Sequence, residues 1–235
     1  MAGWTATSVE EMMISLFTQQ SDRDKQWKVG ASQISDPCTR HLAHALVRSP
    51  TSAQKYWLGA KIGTAIHSFI ESAIANSEDP RFVGASVEGK IELGEIEGYG
   101  SISSSPDLVL ANSGLLVDHK TTTRSKIKKV KDYVDGIKKD SATEYTIQKY
   151  LGQMNLYAWG RNKNYGDSID QLAINFINRD GTNERDFYCL LVDYDESFAV
   201  ALWNRVSNLW AELESGAHPE SYAPHAECYK CAVGT

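Results

Sequence analysis

Three charged residues stand at the ends of two apolar runs in Ser105 to Thr123, SPDLVLANSGLLVDHKTTT. Leu108-Val109-Leu110 and Leu115-Leu116-Val117 read as buried strands joined by a turn at Ala111-Asn112-Ser113-Gly114. Asp107 opens the first strand, and Asp118 and Lys120 close the second. Burying such charges is costly unless they are paired or bound to a metal. Along a strand, Asp118 and Lys120 project to one side and His119 to the other, and the hairpin brings Asp107 beside Asp118. Two adjacent carboxylates repel, and a divalent cation removes that repulsion. Oxygen donors of this kind favour Mg²⁺ or Mn²⁺. Lys120 would then stand within reach of a water or a phosphate oxygen, to orient the one or steady charge on the other. Asp-x-Lys by itself, however, is more often a salt bridge at a sheet edge.

Two further stretches carry suitable spacing. In GTAIHSFIE, Gly63, His67 and Glu71 recur every four residues and form one helical stripe. Gly63 would let another backbone approach, His67 could serve as a further metal ligand, although a lone helix histidine is more often packed or solvated, and Glu71 either supports the site or faces solvent. In QKYLGQMNLYAWG, Gln153 and Tyr157 share a helix face one turn apart.

These residues need elements to position them. Ser8 opens a helix expected to reach residue 20, and a second helix is expected to start near Pro37. A long helix is expected from Tyr56 to Asn76, with Trp57, Ile62, Ile66, Phe69, Ile70, Ala73 and Ile74 on its apolar side. A strand-rich region follows from Gly84 to Thr122, then a helix from Glu144 to Arg161. QLAINFINR and RDFYCLLVDYD read as two strands around a turn at Asp180-Gly181. Glu196 to Gly216 reads as a last long helix, with Phe198, Leu202, Val206, Leu209 and Leu213 on one face. This order describes an α/β fold, one central mixed sheet covered by helices.

The chain has 235 residues, which suits a single α/β domain, and its charged fraction of 23% is that of a globular protein. A net charge of −6 gives no global attraction to nucleic acid, so such binding would need a local patch. Lys126, Lys128, Lys129 and Lys131, continued by Lys138 and Lys139, form one, although a solvated helix face reads the same way. Residues 1–20 lack the basic start and apolar core of a signal peptide, and no stretch approaches the ~20 apolar residues of a membrane span. A soluble, cytoplasmic protein is expected.

Gly-x-x-x-His, an Asp opening a strand, Asp-x-Lys and Gln-x-x-x-Tyr, in that order, resemble the RecB-like nucleases of the PD-(D/E)xK superfamily. That group includes CRISPR adaptation exonucleases and stand-alone phage recombination exonucleases. The resemblance covers Ser32 to about Trp159. It implies a restriction-endonuclease-like core and a single nuclease domain: a helical segment 1–55, a core 56–216 and a cysteine-containing tail 217–235. It also implies that His67, Asp107, Asp118 and the His119 carbonyl hold Mg²⁺ or Mn²⁺, that Lys120 is the catalytic lysine, that Gln153 lies beside the active site and that Tyr157 lies near DNA. His119 departs mildly from the pattern, whose middle residue is more commonly apolar or aromatic. Arg40, Lys126, Lys128 and Lys129 are further residues able to contact phosphates. By the same resemblance, the expected partners are DNA and a recombination or annealing protein.

Many such nucleases hold an iron–sulfur cluster with one cysteine before the motifs and three after them. Here Cys38 precedes them, and Cys228 and Cys231 form Cys-x-x-Cys, but the third late cysteine is missing. His225 could complete a Cys₃His set suited to Zn²⁺. The expectation is a [4Fe-4S] cluster, a zinc ion or three plain thiols, with Cys189 in the core of a strand. The leading reading is a metal-dependent deoxyribonuclease, most simply an exonuclease in DNA recombination, repair or phage replication. A structure-specific endonuclease with the same site, a catalytically silent DNA-binding or assembly subunit, and a metal-binding protein unrelated to DNA are the alternatives.

Overall fold

The computed structural model describes residues 6–18, 28–47, 58–182 and 186–232. Helix α1 (Ala6–Thr18) comes first, then α2 (Ala31–Ile34), α3 (Thr39–Leu46) and α4 (Leu58–Ala75). Five strands follow: β1 (Ser86–Val87), β2 (Ile91–Ile96), β3 (Gly100–Ser104), β4 (Leu108–Leu110) and β5 (Leu115–Thr122). Two helices, α5 (Arg124–Val134) and α6 (Ser141–Tyr165), connect β5 to β6 (Gln171–Asn178) and β7 (Phe187–Asp193), and α7 (Glu196–Glu214) and α8 (Tyr229–Ala232) end the order.

The central sheet has the order β1-β4-β5-β6-β7, with β5 and β6 parallel and the other neighbours antiparallel. The strand-rich region does not all join it, because β2 and β3 form a separate two-stranded sheet. Parallel pairing of β5 with β6 requires a long crossover, which α5 and α6 supply. Asp140 caps α6 by accepting hydrogen bonds from the Ala142 and Thr143 N–H groups. The stretch of α6 from Gly152 to Gly160 is buried throughout, since this helix touches both sheets and α7. A Cβ at Gly160 would come within 2.8 Å of the Leu93 side chain and 3.2 Å of the Glu92 carbonyl, so a larger residue would force α6 and β2 to shift.

Sequence periodicity placed the last long helix well: Leu202, Val206, Leu209 and Leu213 are buried, and Phe198 packs against the core. It was misleading in two places. On α4, Ile66, Ile70 and Ile74 are half-buried, while Ile62 is 38% and Phe69 72% exposed, so the buried stripe is narrower than the apolar one. Trp57 lies outside the described residues. Cys189 is exposed rather than core, because β7 is the outer strand and alternation turns Phe187, Cys189 and Leu191 away from the sheet's packed face. No helix among the described residues is long and apolar enough to cross a membrane.

Candidate active site

The strand register assembles the acidic residues. Leu108 pairs with Val117, which sets Asp107 opposite Asp118 across β4 and β5. Val87 pairs with Leu108, which sets Glu88, the residue after β1, opposite Asp107. Glu88, Asp107 and Asp118 therefore form one row across three strands. The Glu88 N–H donates to the Asp107 carbonyl at 3.1 Å, and the Asp107 carboxylate accepts the His119 N–H at 2.6 Å. Helix α4 crosses β5 so closely that a Cβ at Gly63 would lie 3.3 Å from Thr121 Oγ1, as expected of that glycine. One turn further on, His67 enters the site. Its Nδ1 lies 3.4 Å from both Glu88 Oε1 and Asp107 Oδ1, and its Nε2 donates to the His119 carbonyl at 3.1 Å.

On the other side of the row, Lys120 Nζ lies 2.6 Å from Asp118 Oδ2 and donates to Gln153 Oε1 at 3.2 Å. The Gln153 amide donates in turn to Asp118 Oδ1 at 3.3 Å and to the Tyr157 hydroxyl at 2.7 Å. The ammonium also sits 4.8 Å over the Tyr150 ring. The fold therefore brings His67, Asp107, Asp118, His119, Lys120 and Gln153, all expected from sequence, into one place. Tyr157, expected near DNA, is only 5% exposed, and its hydroxyl accepts from the Gln153 amide. Glu71 is exposed. Glu88 was missed by sequence reading: the Val-Glu-Gly in which it lies carries no motif, and only the β1–β4 register reveals it.

The electrostatics suit a cation. Burial and the neighbouring Asp118 charge push the Asp107 carboxyl up to about 7, against the opposing pull of His67, the His119 N–H and Lys120. The Glu88 contact, working against burial and helped by Asp107 and the His119 carbonyl, raises the pKa of His67. Burial disfavours the Lys120 ammonium, but Asp118, Tyr150 and Asp107 outweigh it, so this lysine stays charged. Donor atoms of His67, Glu88 and Asp107 lie within 4.8 Å of one another. Carboxylates, one imidazole and a carbonyl form a donor set that fits Mg²⁺ or Mn²⁺.

Beyond Lys120 opens a cavity of about 400 Å³ lined by Thr122, Lys126, Lys129, Thr143, Thr146 and Tyr150, among others. Lys126 and Lys129 thus line it, Lys129 at 3.8 Å from Asp140, whereas Lys128 is outside the lining and pairs with Asp132 at 2.6 Å. Arg40 is remote from it, held by Glu220 at 3.1 Å and the Tyr222 carbonyl at 2.6 Å.

The cysteines also converge. Cys38, Cys228 and Cys231 bring their sulfurs within 4.8 Å of one another, Cys38 and Cys231 at 3.6 Å. His225 contributes its backbone N–H to Cys38 Sγ at 3.3 Å, while its Nδ1 accepts the Glu227 N–H. Beside them lies a buried network that sequence reading missed. Asp36, 2% exposed, accepts from the Cys38 N–H, His41, Lys149 and Tyr145. Burial would raise its pKa, but these partners hold its carboxyl far below the usual range.

No family model matches the chain, and no curated protein matches it in sequence. Solved structures do match it in fold. An alkaline exonuclease from Laribacter hongkongensis superposes with a TM-score of 0.53 at 17% identity, over 87% of this chain and 93% of that one. A phage-related exonuclease from Haemophilus somnus gives 0.52 at 15% identity, over 86% and 98% of the two chains. The five-stranded mixed sheet flanked by helices is thus the fold also found in these alkaline and phage-related exonucleases.

Proposed function

We propose that this protein is a divalent-metal-dependent exonuclease acting on DNA. The observation that carries the reading is the row of Asp107 and Asp118 with Lys120 and Gln153 beside it, on a fold shared with exonucleases. A Mg²⁺ or Mn²⁺ ion held by His67, Asp107, Asp118 and the His119 carbonyl would neutralise phosphate charge and ease deprotonation of the attacking water. Lys120 keeps a positive charge beside the scissile phosphate and fixes the position of the attacking water. Gln153 holds Lys120 and Asp118 in one orientation, and Tyr157 holds Gln153. Lys126 and Lys129 supply phosphate contacts along the strand next to the cut, offsetting a chain that is negative overall. An intracellular role in recombination or repair, with a recombination or annealing protein as partner, belongs to the same reading.

Cys38, Cys228 and Cys231 are assigned in this reading to a structural metal that ties segment 217–232 to α3. The 3.6 Å separation of the Cys38 and Cys231 sulfurs is close to the edge of a tetrahedron with zinc–sulfur bonds of about 2.3 Å, which favours zinc over a [4Fe-4S] cluster. Metal and sulfide analysis of the purified protein separates the two.

Digestion of end-labelled linear and circular DNA with Mg²⁺ or Mn²⁺ tests the function. Metal-dependent loss of linear DNA alone, abolished in Lys120→Ala and Asp118→Ala, is the expected result. Cutting of the circle would make the protein an endonuclease, and no cleavage with retained binding would make it a silent DNA-binding subunit.

A further inference from the structure

Glu88 has no part in the motifs from which the site was read, yet it stands inside it. Its carboxylate is 3.4 Å from His67 Nδ1, on the side of Asp107 away from Lys120. Its position follows from strand pairing: β1, β4 and β5 align Glu88, Asp107 and Asp118 in one row, with β1 the outermost strand. Asp107 accordingly has a carboxylate on each flank. The Asp118 flank is balanced by Lys120 at 2.6 Å, whereas the Glu88 flank meets the imidazole of His67.

The backbone at this point is unusual. Glu88 has φ of +49°, and it is the only non-glycine residue with positive φ among the described residues. An L-residue with a side chain is disfavoured there, and glycine would hold the turn at lower cost. Gly89 is the very next residue, so the chain has a glycine at hand and does not use it at position 88. The left-handed backbone accompanies two contacts at once, the Glu88 N–H on the Asp107 carbonyl and the carboxylate on His67.

We propose that Glu88 is a direct ligand of the active-site cation, joining His67 and Asp107 on the face of the site away from Lys120. This rests on the nuclease reading above, which supplies the cation, and adds a carboxylate to the donors of that reading. A third carboxylate and one imidazole around a single ion shift its preference from Mg²⁺, which keeps much of its water, toward Mn²⁺, which accepts nitrogen and several protein donors more readily.

Mn²⁺ titration of the full chain, followed by the loss of the free-ion paramagnetic resonance signal, tests this without recourse to activity. Glu88→Gln should weaken Mn²⁺ binding by about 10- to 100-fold, and Glu71→Gln, an exposed carboxylate on α4, should leave it unchanged. Glu88→Gly should weaken binding equally while raising Tm, because it removes the ligand and relieves the backbone together. A glutamate kept only to brace His67 would instead leave Mn²⁺ affinity within about twofold in Glu88→Gln, whose amide still reaches the imidazole, and lower it in Glu88→Gly alone, which overturns the proposal. If the unaltered protein itself fails to bind Mn²⁺, the metal-dependent reading falls and this inference with it. Normal binding by the unaltered chain together with an unaffected Glu88→Gln defeats Glu88 alone.

Discussion

Lys120 and Asp118, two residues apart on β5, form an ion pair of 2.6 Å with Asp118 2% exposed, and Gln153 on α6 bridges both. The pair is therefore fixed from two elements that meet only in the folded chain. Lys120→Ala should lower cleavage by about 10²- to 10³-fold, since a preorganised charge at the phosphate is lost. Lys120→Arg should not restore it, because a planar fork does not replace a compact ammonium between Asp118 and Gln153. Initial rates on end-labelled DNA, with circular dichroism to verify folding, provide the measurement.

The carboxyl of Asp107, raised to about 7, gives metal binding a defined pH dependence. Below that value a cation must displace a proton; above it the carboxylate is already ionised. Mn²⁺ affinity should thus rise by about tenfold per pH unit up to about 7 and then level off. Titrations at pH 6 and pH 8 check the sign, and equal affinity at both would contradict it.

Asp36 behaves in the opposite sense. Its folded pKa lies below the ordinary 3.8, so the stability it contributes is complete above that value and is lost as pH falls toward the folded one. Asp36→Asn strands Lys149 and His41 without their buried carboxylate and should cost about 3 kcal/mol at neutral pH. Urea denaturation at pH 7 and pH 2.5 reads both the cost and its shrinkage in acid, with pH 4 expected to match pH 7.

The cavity beside Lys120 separates lysines that adjoin in sequence. Lys126→Ala and Lys129→Ala should each weaken DNA binding and lower the slope of log affinity against log salt by about one. Lys128→Ala, whose ammonium lies outside the cavity and pairs with Asp132 at 2.6 Å, against 3.8 Å from Lys129 to Asp140, should change that slope less. Fluorescence anisotropy across a salt series distinguishes them.

Local pattern made much of this legible. Alternation and turn residues defined β4 and β5, and the hairpin between them was enough to place Asp107 beside Asp118. The spacing of four from Gly63 put His67 on the face of α4 that meets Thr121. These are short-range consequences of strand and helix geometry, which the order of residues carries in full. Glu88 and Asp36 were not legible in this way. The partners of Glu88 arrive through β1 joining β4 across twenty residues, and those of Asp36 through α6 more than a hundred residues away. The same holds for exposure: sequence marks Phe69, Tyr157 and Cys189 as apolar or aromatic, but only the packing of neighbouring elements leaves the first and last in solvent and buries the second. Sequence by itself determined which groups this chain has for chemistry at a phosphate. Tertiary structure decided which of them share one site, because strand register and helix docking depend on contacts between segments far apart along the chain.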